Sequence, residues 1–236
     1  MRISFYRTDE ILSGMRTQDV SGELMKKIDT RGIQYLEAVE GTAEWYFAIS
    51  YPAGDMYEAE ELYQDGKEVE GTVLLLVHYP DGKIYQPVAE KKSQCLGRPV
   101  FSEGSLCFAG VDFSRDTVRI YSFNGETAEV TVLHEMPLSE IKSCYNLMVH
   151  GRTVMLSRQG PGNEFEIYWP ERKSLNIGIT ESFFYREDNR LYFSRWYEDP
   201  DYREELIIRD VESGEIIEQM PGDMFVMPNG EKWHVG

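Results

Sequence analysis

One short segment, residues 196–203, holds the densest group of side chains suited to chemistry. Its aromatic and acidic members are Trp196, Tyr197, Asp199, Asp201 and Tyr202. Aromatic rings beside carboxylates suit stacking on a sugar with hydrogen bonds to its hydroxyl groups, and they suit a cationic protein partner equally well. Two carboxylates alone are too few ligands for calcium. The segment therefore predicts a binding surface, and an exposed tyrosine-rich hairpin is the plain structural alternative.

The spacings that usually mark a catalytic or metal site are missing from the sequence. The histidines His78, His134, His150 and His234 form no HxH, HxxxH or HExxH pattern, so a zinc site is not expected. No GxSxG, GxxxxGK[ST] or GxGxxG motif occurs, which argues against a nucleophile-elbow hydrolase, a P-loop enzyme and a dinucleotide-binding fold. We therefore expect no metal and no cofactor. Cys95, Cys107 and Cys144 form no CxxC pair and are predicted to be reduced, buried thiols.

The charge balance limits the classes of partner. The chain of 236 residues carries 24 Lys and Arg against 41 Asp and Glu, a formal net charge of −17. A surface this acidic repels a polyphosphate backbone and attracts cations. We therefore expect no nucleic-acid partner, and we expect a protein or carbohydrate ligand that can be cationic. Seven acids against one lysine make residues 53–70 the most acidic stretch.

Membrane and export signals are also missing from the chain. The longest aliphatic run, Val73–Val77, is far shorter than the roughly 20 residues that span a bilayer. The N-terminal residues lack the apolar core of a signal peptide. The sequence thus predicts a cytoplasmic protein without a membrane partner, although a trimmed leader would give the same sequence.

Alternating strand patterns dominate the chain, and helical periodicity is confined to about 57–63 and 138–144. A short apolar strand followed by a longer strand recurs at intervals of about 40 residues. The longer strands begin at Gly104, Gly151, Asn189 and Gly230. An earlier four-strand unit spans 33–88 and contains an acidic insert at about 54–70. Because a radial repeat of four-stranded sheets is typical of β-propellers, the whole chain resembles a five-bladed β-propeller.

The last unit has only two strands, Met224–Met227 and Lys232–Val235. We predict that Arg2–Tyr6 and Leu24–Ile28 supply its third and fourth strands, because this pairing would remove the open edges. The predicted fold is therefore a single all-β domain over residues 1–236. It has five four-stranded antiparallel blades, the last one shared by the N- and C-termini. A β-sandwich or an open meander is the alternative.

The residues that directly precede the innermost strands would ring the mouth of a central channel in this fold. They are Arg31, Arg98, Tyr145, Glu181 and Asp223. Two cations, two anions and a phenol could hold a small polar ligand, or they could neutralise one another as a plug. Because an arginine stays charged, a carboxylate beside it should have a lowered pKa and be a poor general acid.

Two functions remain open at this stage. The first is a non-catalytic binding module that uses the loop-bearing face of the propeller for a protein or glycan ligand. The second is a glycoside hydrolase in which Glu181 and Asp223 divide the roles of acid and base. Five-bladed propellers that cleave arabinan- or sucrose-like sugars use three channel carboxylates, and this chain resembles them only in part. The absence of catalytic motifs favours the binding module.

Overall fold

Alternating apolar side chains and tight turns build four antiparallel sheets in a propeller-like arrangement, so the predicted all-β class is confirmed. The fold is seen in a computed structural model that describes residues 3–4, 25–227 and 230–236. Sheet one has the strand order β1-β2-β3-β4-β5. Its strands are β1 (Ile3–Ser4), β2 (Tyr35–Ala38), β3 (Trp45–Ile49), β4 (Leu74–His78) and β5 (Ile84–Tyr85).

Sheet two has a divided inner edge. Its strands are β6 (Gln94–Leu96), β7 (Val100–Ser102), β8 (Ser105–Asp112), β9 (Thr117–Asn124) and β10 (Glu129–Pro137). Both β6 and β7 pair with β8, so Gly97, Arg98 and Pro99 lie in a break between two short strands. Short 3₁₀ helices follow β8 at Phe113–Arg115 and β10 at Leu138–Glu140.

Sheets three and four are four-stranded meanders. Sheet three consists of β11 (Leu147–His150), β12 (Met155–Gln159), β13 (Glu164–Trp169) and β14 (Lys173–Asn176). Sheet four consists of β15 (Glu181–Glu187), β16 (Arg190–Tyr197), β17 (Arg203–Asp210) and β18 (Ile216–Pro221). Each sheet packs on the next, and between these two the core contains Met155, Phe165, Phe193 and Ile207, all nearly inaccessible to solvent.

The prediction of five four-stranded blades is wrong, because only four sheets in the described residues have four or more strands. The last two strands, β19 (Asp223–Val226) and β20 (Lys232–Val235), form a two-stranded sheet. Its Met224 packs against Tyr185 and Leu206 of sheet four.

The predicted sharing of the last blade by both termini is likewise not what the structure shows. Ile3–Ser4 pairs with β2, where Ile3 lies opposite Leu36, so this N-terminal pair belongs to sheet one. A two-residue pairing leaves no periodic signal in the sequence, which is why the pattern did not reveal it. Residues 25–28 form no strand, and the other residues of the two predicted N-terminal strands lie outside the described part of the chain.

The acidic insert contains the one α-helix of the described residues, α1 (Met56–Gln64), which confirms the predicted helical stretch. Asp55 and Glu58 form a capping box at its N-terminus. Ala59 and Glu60 are buried, and Glu60 accepts a hydrogen bond from the backbone N–H of Cys144 at 2.8 Å. In the described ranges, no helix is long and apolar enough to cross a bilayer. The three cysteines are free and buried, as predicted.

Candidate functional site

Two cavities lie along the inner strands of the sheets. We call them the upper cavity, of about 580 Å³, and the lower cavity, of about 870 Å³. Glu40 and His150 line both of them, so the cavities adjoin each other at these two residues. We call the two cavities together the central channel, and they are the candidate site.

The upper cavity opens on the face that the sequence predicted to carry function. It is lined by Tyr51 and Asp55 after β3, by Arg98 before β7 and by Asn146 before β11. Met148 of β11 also lines it and keeps 44% of its surface exposed. Its side chain therefore presents exposed apolar surface to the cavity.

Arg98 is the predicted site residue that lines the upper cavity. Its guanidinium group forms an ion pair with Glu37 and lies 5.6 Å from the centre of the Phe47 ring. The break between β6 and β7 positions Arg98 beside the cavity, since a continuous strand would have passed through this point. The guanidinium group of Arg98, a residue of sheet two, therefore contacts two residues of sheet one.

Glu40 follows β2 at the junction of the two cavities. Its carbonyl oxygen accepts a hydrogen bond from the N–H of Phe101 at 2.9 Å, which links the inner strands of sheets one and two. Burial raises the pKa of its carboxyl above 4.5, and the charge of Arg98 opposes this shift only in part. No ion pair or hydrogen bond to the Glu40 carboxyl is found within residues 25–227 and 230–236.

His150 of β11, like Glu40, lines both cavities. Its Nε2 lies 2.9 Å from the Ser157 hydroxyl, and its ring meets Phe183 edge to face at 4.7 Å. Burial lowers the pKa of His150 to about 4, so the ring is neutral at neutral pH. The buried Ser157 hydroxyl holds the ring in place and is too enclosed to act as a nucleophile.

The lower cavity opens on the opposite face, among the turns that join the first and second strands of the sheets. Glu103 and Arg152 come from two of these turns, and both have left-handed backbone, with φ of 48° and 62°. Arg152 donates to the Tyr185 hydroxyl at 2.7 Å and forms an ion pair with Glu187 at 3.0 Å. Phe225 of β19, 51% exposed, supplies an open aromatic wall. Sequence reasoning missed these residues because it assigned function to the other face.

Glu181 is a structural residue of sheet four. Its side chain is fully buried and forms ion pairs with Arg195 and with Arg209, the latter at 2.9 Å. Burial alone would raise the pKa of Glu181, but the hydrogen bonds from Arg209 and Arg195 outweigh burial and hold the pKa below 4.5. The lowered pKa that the sequence predicted for this carboxylate is thus present, but its cause is two arginines of neighbouring strands.

The other three predicted mouth residues lie apart from both cavities. Arg31 is exposed and donates to the Gln86 side chain at 2.6 Å. Tyr145 packs edge to face on Tyr57 of α1 at 5.3 Å. Asp223 accepts a hydrogen bond from the adjacent Met224 N–H at 2.8 Å. Among the described residues, no hydrogen bond or ion pair joins any two of the five predicted mouth residues.

The segment singled out first, 196–203, covers the end of β16, the connection to β17 and the first residue of β17. Trp196 is 40% and Tyr202 is 67% exposed, whereas Tyr197 donates to Glu205 at 3.0 Å and stacks under Arg203 at 4.2 Å. The Asp199 carbonyl accepts from Arg203 at 3.0 Å. Asp201 is exposed. These contacts fit the tyrosine-rich hairpin.

In the described residues, acidic, histidine and cysteine side chains do not gather into a metal-binding group. The chain matches no protein-family model, and a search of curated proteins gives no significant match.

Proposed function

We propose that this protein is a non-catalytic binding module that takes a protein or glycan ligand into its central channel from the loop-bearing face. One observation carries the proposal: the upper cavity presents Met148, an exposed apolar side chain of an inner strand, within about 580 Å³ of space. Ligand sites are concave and largely apolar, with a few polar groups that fix orientation. Tyr51, Asp55 and Arg98 supply such polar groups here.

The alternative function, glycoside hydrolysis, needs a proton donor and a second carboxylate beside the scissile bond. Glu181 is ionised at neutral pH because two arginines lower its pKa, so it is a poor proton donor. It is also inaccessible to a substrate. Asp223 accepts a hydrogen bond from the N–H of Met224, and no hydrogen bond or ion pair joins it to Glu181 in the described residues. These observations favour binding over hydrolysis.

The net charge supports a ligand with positive charge or with neutral hydroxyl groups. A formal charge of −17 steers cations toward the protein. The helix α1 places further carboxylates beside the upper cavity, since its N-cap residue Asp55 lines that cavity. A basic protein segment would benefit from this field, whereas a neutral glycan would depend on the aromatic and polar lining alone.

The proposal is tested by filling the upper cavity. Met148→Trp adds an indole where the ligand would lie, and Ile217→Trp is the matched control because Ile217 is 50% exposed on the outer strand β18. Labelled wild-type protein and both variants are applied to a glycan array and to a peptide array. We expect ligands that bind the wild type and Ile217→Trp equally and bind Met148→Trp at least about tenfold more weakly, a loss of about 1.4 kcal/mol.

Two results would overturn the proposal. One is a set of array ligands that bind all three proteins equally, which would place binding outside the channel. The other is hydrolysis of an aryl glycoside that Glu181→Gln abolishes while leaving the protein folded, which would establish the enzyme.

A further inference from the structure

Among the charged side chains that line the channel, every base has a partner but not every acid does. Arg98 is paired with Glu37, Arg152 with Glu187 and Arg186 with Glu171. The Asp55 carboxylate caps α1 by accepting the N–H groups of Tyr57 and Glu58. His150 is neutral because burial lowers its pKa. Once these groups are counted, the carboxylates of Glu40 and Glu103 remain without an ion pair or hydrogen bond in the described residues.

Glu40 lines both cavities, so a ligand in either one can reach it. The residue is exposed, but its carboxyl is desolvated enough to raise its pKa, a cost that the charge of Arg98 offsets only in part. A cation brought in by a ligand would remove this cost, because a charge-assisted hydrogen bond is about twice as strong as a neutral one. Glu103 lies farther out, on the β7–β8 turn at the rim of the lower cavity, and adds a second negative charge on the same path.

Aromatic side chains line the lower cavity together with Glu40. Phe101, Phe184 and Phe225 come from the inner strands of three different units and all line the lower cavity. Phe225 is 51% exposed. Faces of aromatic rings attract cations and also bury an alkyl chain. A carboxylate at the end of an aromatic-lined cavity matches a flexible chain that ends in a positive charge.

We infer that the channel binds an alkylammonium group, with its nitrogen at Glu40 and its alkyl chain against Phe225 in the lower cavity. The inference rests on the proposed binding function and specifies the chemical class of the ligand. The group can come from a lysine side chain of a protein partner or from a free amine, and the geometry of the carboxylate and the rings is the same for both.

The experiment titrates the folded protein by calorimetry with three probes, of which the free amine and the alcohol match in size. Hexylammonium chloride is the free amine, an acetylated and amidated tetrapeptide with one internal lysine is the peptide source, and hexan-1-ol is the uncharged probe. Each is tested on the wild type, Glu40→Gln and Glu129→Gln. Glu129 is the matched control because it is exposed on the outer strand β10.

We expect at least one charged probe to bind the wild type and Glu129→Gln equally and to bind Glu40→Gln at least about tenfold more weakly. Hexan-1-ol should bind all proteins weakly. Whichever charged probe binds more tightly identifies the source. Phe225→Ala, at a surface position, gives a second test: it should weaken the same probe severalfold without unfolding the protein.

Equal binding of the charged probes by Glu40→Gln and the wild type would overturn the inference, and so would hexan-1-ol binding as tightly as the amine. Failure of both charged probes to bind would overturn it as well. The proposed function would survive each of these results if the array ligands were still lost in Met148→Trp. If they were not lost, the proposed function would fail too.

Discussion

The buried carboxylate of Glu181 allows a quantitative test of how sheet four is held together. Its side chain is fully buried and receives hydrogen bonds from Arg195 of β16 and from Arg209 of β17, with Arg209 donating through Nε at 3.0 Å and Nη2 at 2.9 Å. Glu181→Gln keeps the shape of the side chain and removes its charge. Two guanidinium groups then remain in the interior without a counter-charge.

Removing one partner of a buried ion pair costs about 3–5 kcal/mol. We expect Glu181→Gln to fall at the lower end, a loss of about 3 kcal/mol in the free energy of unfolding, because the amide oxygen still accepts one hydrogen bond. This is a large part of the total of about 5–15 kcal/mol typical of a folded domain. The exposed control Glu129→Gln should change it by less than about 0.5 kcal/mol.

The same pair predicts how the loss depends on pH. The pKa of Glu181 in the folded protein is held below 4.5, so its charge stabilises the fold at pH values above the unfolded pKa. This contribution is lost as the pH falls through the lowered folded pKa. Urea unfolding followed by tryptophan fluorescence should therefore show a difference between wild type and Glu181→Gln that is full at pH 7 and shrinks toward pH 3. A difference below about 1 kcal/mol at pH 7, or one that stays constant with pH, would refute the reasoning.

Three further predictions concern the core, the helix cap and the thiols. Phe193→Ala empties a fully buried site between sheets three and four, and we expect urea unfolding to show a loss of about 3–5 kcal/mol; a loss under about 1 kcal/mol would mean that this core is not packed as described. Asp55→Ala removes the capping box of α1 and should cost about 1 kcal/mol, whereas Asp65→Ala, at the other end of the helix, serves as the control; equal effects would contradict the cap. The three cysteines are buried, and burial raises the pKa of Cys95 to about 11. Iodoacetamide at pH 8 should therefore alkylate them only after urea is added, and rapid labelling of the native protein would show that a thiol is accessible.

Local patterns predicted most of the strands because each strand depends on its own alternation and turn residues. The strands β8, β12, β16 and β20 were all expected from the repeated units, and α1 was expected from the acidic insert. The predicted number of blades was wrong because the closing of a ring depends on which strand edges pair with each other. The pairing of Ile3 with Leu36 involves residues far apart in sequence, and no local pattern records it.

The candidate site was predicted less well than the fold, for a related reason. Of the five predicted mouth residues, Arg98 lines a cavity, since the loop before an inner strand reaches it. Glu181 was predicted to lie at the channel mouth, but it pairs with Arg195, directly opposite on β16, and with Arg209 of β17. Partners across strands follow from register, which the repeat fixes only to within a residue or two. Glu40 ends an inner strand and gave no signal of its own, because a single acid after a strand looks like any turn residue.

The hydrogen bond from the Cys144 N–H to Glu60 links sheet one to the segment before sheet three, although sheet two lies between them in the sequence. The helix α1 belongs to the connection within sheet one, and its residues Glu60 and Tyr57 contact the segment that leads into sheet three. A cut in the backbone between α1 and β4 would leave the chain in two fragments that this contact still joins. Sheets one to three should therefore resist being pulled apart as one block, whereas β19–β20 packs on sheet four and receives one hydrogen bond from Arg152 of the β11–β12 turn, at 3.3 Å.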